Sequence, residues 1–137
     1  MNISRVTVGI QVKGDWAKCF DFYVEKMGFF PTYGDRNQPD YANFATEKDC
    51  EPFFGMSYVK AASEWVPEYK ISNNAGSTDT MSAVFHTDDF ESEYSRLEKN
   101  GVEFIGRNIL SGEGYSFNIA IFSDPEGNLL SLEDGGV

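Results

Sequence analysis

Apolar and polar residues alternate at the start of the chain. Val6, Val8, Ile10 and Val12 are separated by Thr7, Gly9 and Gln11, which predicts a half-buried strand. Gly14 and Asp15 follow, with Asp15 placed to cap a helix. The spacing then turns helical, with Trp16, Cys19, Phe20, Tyr23 and Met27 on one face and Gly28 as the stop. Three short strands are predicted over 29–33, 41–46 and 53–59, with Gly34, Pro39 and Pro52 in or beside the turns. The order strand, helix, three strands then repeats. A strand over 81–87 leads to Asp88-Asp89, which cap a helix bearing Phe90, Tyr94 and Leu97, and Gly101 stops it. Strands over 102–105, 117–122 and 129–133 complete the second half. A shift of 74 residues lays Trp16 on Phe90, Phe20 on Tyr94 and Tyr23 on Leu97, as an internal repeat requires.

Each half has a helix to cover one sheet face, and the other face must be covered or line a cavity. In the first strand the open side receives Thr7, Gly9 and Gln11. In the second half it receives Ser82, Val84 and His86, with Ala83, Phe85 and Thr87 under the helix. Ser131 and Glu133 share the open side of the last strand. The polar segment 60–79 reads as a linker between module one (1–59) and module two (80–137) of a single domain spanning 1–137. Trp65 and Tyr69 within it suit either a lid over a binding site or a staple that packs the loop down.

Composition narrows the function classes. Twenty-one of 137 residues are aromatic (12 Phe, 7 Tyr, 2 Trp), which argues against disorder. The net charge is −11, which disfavours nucleic acid, whose binding rests on neutralised phosphates. The charge is uneven: residues 1–70 carry 8 positive and 10 negative side chains, and residues 71–137 carry 3 and 12. That balance serves solubility or attracts a cationic ligand. No apolar run reaches membrane length, and the first residues lack the basic start and apolar core of a signal peptide, so a cytoplasmic protein away from membranes is expected. Cys19 and Cys50 are then expected as free thiols, Cys19 packed and Cys50 in an acidic loop.

Two segments resemble a known family. Phe22-Tyr23-Val24-Glu25-Lys26-Met27-Gly28-Phe29 is similar to an FY-x-x-x-LGF signature, and Ser123-Asp124-Pro125-Glu126-Gly127-Asn128-Leu129-Leu130 to a DP-[DE]-GN turn and strand. Both belong to the glyoxalase / bleomycin-resistance / extradiol-dioxygenase (vicinal oxygen chelate) superfamily, and 83–90 resembles its central strand ending in two acids. Taken by itself, the Asp124 turn reads first as a hairpin device, with Asp124 accepting backbone bonds and Gly127 permitting positive φ. The fold class expected is α+β: two βαβββ modules forming a cupped mixed sheet with helices on the outer face. The resemblance also implies a homodimer.

Enzymes of that superfamily usually hold a divalent metal by His, Gln or Glu from the first and last strand of each module. Carried over, those positions fall on Thr7 (Val8 without one extra residue at Lys13-Gly14), near Met56 or Ser57, on Ser82 and on Ser131. Hydroxyls and a thioether are poor ligands for such an ion, and the chain has one His, so no metal and no cofactor are expected. His86 is either a strand-end hydrogen-bonding residue or a ligand contact, and with Glu133 could transfer protons. The expected function is a metal-free small-molecule-binding protein that sequesters an aromatic or cationic compound such as an antibiotic. Its candidate ligand-binding residues are Thr7, Gln11, Ser57, Trp65, Ser82, His86, Ser131 and Glu133. The alternative is a glyoxalase-like lyase or isomerase, metal-independent or with an unrecognised metal site; a domain working through protein contacts is a third reading.

Overall fold

The computed structural model describes residue 2, residues 7–58 and residues 81–135. The linker, with Trp65 and Tyr69, lies outside the described residues, as do the side chains of Met81 and Ser82. The chain forms β1 (Val8–Val12), α1 (Trp16–Asp21), a π-helical turn (Phe22–Lys26), β2 (Phe30–Asp35), β3 (Gln38–Ala45) and β4 (Phe54–Tyr58). It then forms β5 (Met81–His86), α2 (Phe90–Lys99), β6 (Phe104–Gly112), β7 (Tyr115–Ser123) and β8 (Leu129–Glu133). The strands make two four-stranded mixed sheets, ordered β1-β4-β3-β2 and β5-β8-β7-β6. β1 pairs with β4 in parallel and β5 with β8 in parallel, while the other neighbours are antiparallel. This is the expected α+β architecture of two βαβββ modules.

Both helices begin as the sequence predicts. Asp15 accepts a hydrogen bond from the Lys18 backbone N–H at 3.0 Å, and Asp89 accepts one from Ser92 at 3.2 Å. α1 does not run on as a regular helix to Met27. At Phe22 it widens into a π turn, with the Met27 N–H reaching the Phe22 carbonyl at 3.0 Å. The wider turn lets two consecutive residues, Phe22 and Tyr23, both face inward and be buried.

Some turn and strand bounds differ from the sequence reading. Gly34 lies inside β2 at a register irregularity, with φ of +100°, and the hairpin turns at Arg36-Asn37. A Cβ at Gly34 would sit 2.6 Å from the Tyr41 carbonyl, so both space and backbone favour glycine there. Pro39 lies in β3 beyond the last β3–β4 pair, where its missing N–H breaks no bond to β4. β6 and β7 are longer than predicted and meet at the tight Glu113-Gly114 turn, because their exposed outer halves carry no buried alternation to reveal them. Val8, expected under the helix, is 42% exposed at the strand's start.

The core lies between each sheet and its helix. Tyr23, Phe44, Phe54 and Met56 fill it in module one, and Leu97, Phe122 and Leu130 in module two. Phe85 joins the two, with its ring 5.5 Å from Phe29, 5.8 Å from Phe54 and 6.5 Å from Phe122. Asp124 makes the second joint. Its Oδ1 accepts the backbone N–H groups of Glu126 and Asn128, both at 2.9 Å, as the hairpin reading requires. Its Oδ2 accepts the Tyr23 hydroxyl at 2.7 Å and Asn128 Nδ2 at 2.9 Å, and Cys19 Sγ donates to it at 3.8 Å. Glu126 accepts the Gly14 backbone N–H at 2.8 Å, so the whole turn is sewn to the start of α1. Burial pushes both the Cys19 thiol and the Tyr23 phenol well above their ordinary ranges, and the negative charge of Asp124 adds to the effect. Among the described residues, no helix is long and apolar enough to cross a membrane.

Candidate functional site

The sheet faces turned away from the helices adjoin along β1 and β5, which lie side by side. On module one this face is built by alternation from Gly9 and Gln11 of β1, Gly55 and Ser57 of β4, and Tyr41 and Asn43 of β3. Gln11 is the register partner of Ser57, which in turn opposes Tyr41. The Tyr41 hydroxyl donates to Asn43 Oδ1 at 2.7 Å, and the Tyr33 ring stands 6.2 Å from that of Tyr41. Tyr33, Asp40, Tyr41 and Asn43 line a depression of about 550 Å³.

Module two has a different surface on equivalent positions. Val84 pairs with Ser131 and His86 with Glu133 across β5 and β8, while Ile121 and Ile119 flank the same two residues from β7. Ser131 is fully buried and its hydroxyl donates to Glu133 Oε2 at 3.0 Å. His86 is exposed at the strand end, with Nδ1 3.1 Å from the Gly135 carbonyl. The carboxylate therefore sits on a strip of serine and histidine bordered by valine and isoleucines.

Of the residues singled out in the sequence, the structure brings Gln11 and Ser57 together, and separately His86, Ser131 and Glu133. Thr7 is half-buried just before β1. Trp65 and the Ser82 side chain are outside the described residues. Sequence reasoning missed Tyr33, Tyr41 and Asn43. Tyr41 and Asn43 alternate with buried Ala42 and Phe44, so the face of Tyr41 and Asn43 could have been read as Gln11 was.

The register also relocates one position carried over from the family. Ser131 pairs with Val84 on one side and Ile121 on the other; the module-one residue in that place pairs with Gly9 and Asn43, and it is Gly55. Met56 is buried under the helix, and Ser57 lies two residues further along the open face. A Cβ at Gly55 would meet Asn43 Oδ1 and the Tyr41 hydroxyl, each at 3.2 Å. A side chain at this position would therefore have to push these two groups aside by a few tenths of an ångström. No cluster of three His, Cys, Asp or Glu side chains suited to a metal occurs among the described residues. The carried-over positions, Thr7, Gly55, Ser82 and Ser131, hold three hydroxyls and no carboxylate, imidazole or amide, and so do not fit the divalent ion of the family's enzymes.

The sequence model of the Glyoxalase/Bleomycin resistance protein/Dioxygenase superfamily matches residues 3–132. The chain belongs to this superfamily. No curated protein matches it significantly in sequence. Among solved structures, TnmS3, an antibiotic binding protein from Streptomyces sp. CB03234, is 26% identical, with a TM-score of 0.61 over 98% of each chain. A superfamily member from Sphaerobacter thermophilus DSM 20745 is 22% identical, with a TM-score of 0.69 over 98% of this chain and 99% of that one. A protein of unknown function from Agrobacterium tumefaciens str. C58 is 15% identical, with a TM-score of 0.71 over 98% and 96%. The latter two likenesses speak for the superfamily's fold alone.

Proposed function

We propose that the protein binds and sequesters a planar small molecule, preferring a cation, on its open sheet faces and without a metal. Glu133 carries this reading. Its carboxylate, held by Ser131 and flanked by Ile119 and register partner His86, gives a cation a counter-charge in apolar surroundings. The tyrosines of module one supply rings for stacking, worth about 0.5–2 kcal/mol per well-placed cation. The net charge of −11 adds attraction at long range, screened by salt beyond about 8–10 Å. The likeness to TnmS3 supports a binding role, and an antibiotic is one suitable ligand. Thr7, Gln11, Ser57, Trp65, Ser82 and His86 complete the proposed contacts.

The protein acts as a homodimer in this reading, with the tyrosine-lined face of one copy opposite the isoleucine-lined face of the other. The adjacency of His86 and Glu133 favours one further reading, a metal-independent lyase or isomerase that moves a proton between them.

Titration with proflavine, acridone and anthracene-9-carboxylate compares a planar cation, a neutral molecule and an anion. Proflavine should bind best, and Glu133→Gln should weaken it about tenfold. A preference for the carboxylate, or binding indifferent to Glu133→Gln, would overturn the reading. Native mass spectrometry should show the dimer, and turnover of any ligand that copurifies would move the assignment to the enzyme.

A further inference from the structure

The two modules repeat one order of strands and helix, and their equivalent junctions differ in one bond. The shift that lays α1 on α2 takes Tyr23 to Leu97 and Cys19 to Glu93. Thr46 follows β3 as Asp124 follows β7. In one junction, Asp124 reaches α1 and is bonded to Tyr23 and Cys19. In the counterpart, Thr46 is exposed, and Leu97, which has no hydrogen to donate, takes the place of Tyr23. What stands there is a cavity of about 600 Å³, with Thr46, Phe53, Glu93 and Leu97 in its lining.

The walls of this cavity come from both modules. Phe29 and Phe53, both half-buried, face it from the first and Phe85 from the second, with the fully buried Phe54 packed against Phe29 and Phe85. Leu97 and Leu132, 1% and 3% exposed, form its floor. The charged groups in its lining are already matched: Arg96 donates to Glu93 through Nη2 at 2.8 Å and through Nε at 3.2 Å. Val84 and His86 stand at its border with the open face of module two.

We infer that this junction is a second small-molecule site, selective for an uncharged, mainly aromatic ligand. The volume falls within the about 300–1,000 Å³ of small-molecule pockets. Three half-buried phenylalanine rings, Phe29, Phe53 and Phe85, set edge-on to one another, offer faces and edges to a guest ring. A charged ligand would lose its hydration and find an ion pair already satisfied, so charge is selected against. The inference stands independently of the cation reading for Glu133.

The test uses the full chain and the neutral fluorescent probe N-phenyl-1-naphthylamine. Its emission should rise to saturation, and amide shifts in NMR should gather at Phe29, Phe53, Ala83 and Leu97. Thr46→Trp places an indole at the exposed rim and should weaken the probe at least about tenfold, whereas Glu133→Gln should leave it unchanged. The absence of saturable binding would overturn the inference. So would shifts centred on Tyr41, Asn43 and Glu133, or a Thr46→Trp protein with wild-type melting and wild-type probe affinity. Equal binding of the anionic 1-anilinonaphthalene-8-sulfonate would overturn the selectivity for uncharged ligands.

Discussion

The Tyr23 hydroxyl donates to Asp124 Oδ2 at 2.7 Å, joining the first helical segment of one module to the last turn of the other. Both residues are buried, so the bond is sheltered from water. A buried hydrogen bond to a charged acceptor contributes about 1.5–3 kcal/mol. Tyr23→Phe keeps the ring's packing against Phe54, at 4.7 Å between centroids, and removes only the donor. It should lower unfolding free energy by that amount in urea titration, with the m-value unchanged. A loss below about 0.5 kcal/mol would show that Asn128 and the backbone satisfy Asp124 without it.

The same burial gives stability a defined alkaline limit. Cys19 and Tyr23 have raised pKa values in the folded chain, chiefly from burial and then from the charge of Asp124. Unfolded, they ionise near their ordinary values, about 8.5 and 10. Above those values the unfolded state has released protons that the folded state still holds, so stability falls as pH rises. Below them the two groups leave stability independent of pH. Melting temperatures measured between about pH 8 and 11 should therefore decline, and more shallowly in Tyr23→Phe above pH 10, where the phenol no longer contributes. Parallel curves for the two proteins would contradict the assignment.

The two thiols should separate by reactivity. Cys50 is half-buried in the loop after β3, and Cys19 is buried with its thiol directed at a carboxylate. Since the thiolate is the reactive form, Ellman's reagent at mildly alkaline pH should modify Cys50 alone in the native protein. Cys19 should react only in denaturant. Two equally fast thiols in native buffer would show that the Asp124 joint opens readily.

The crowding around Gly55 leads to a prediction about metals. With a glycine at this position and Tyr41 and Asn43 crowded against it, zinc, nickel or manganese should leave the melting temperature unchanged. An ion bound only by the folded chain would raise it by mass action. Elemental analysis giving about one metal per chain after dialysis would reject this.

Local chemistry made much of the fold legible. Asp15 and Asp89 are caps by residue type, and the alternation Ile10–Val12 and Ala83–Phe85 assigned the helix-facing sides that the structure shows. The harder features depend on distant partners. Gly34 looks like a turn residue until Tyr41 is seen to occupy the space beside it. The identity of Gly55 as the counterpart of Ser131 follows only from strand register, because the two halves differ in loop length between β3 and β4 and between β7 and β8. The long β6–β7 hairpin was hidden because Ile105 and Ile109 are exposed, 66% and 62%, where a pattern reader expects burial. Asp124 was legible as a turn residue, but its bond to Tyr23 spans the chain and no local pattern encodes it.

The parallel pairing within each module has a consequence for the order of events during synthesis. β4 lies between β1 and β3, and β8 between β5 and β7, so the strand made last in each module is an interior one. Until it emerges, the first strand of the module has no edge to join and the hairpin beside it cannot be zipped to the rest. Such long-range closure is slow compared with hairpin or helix formation. Module one can reach this state while module two is still emerging from the ribosome. Module two stays open until β8 arrives, and the Asp124 turn just ahead of that strand then closes both its own sheet and its bond to the waiting Tyr23.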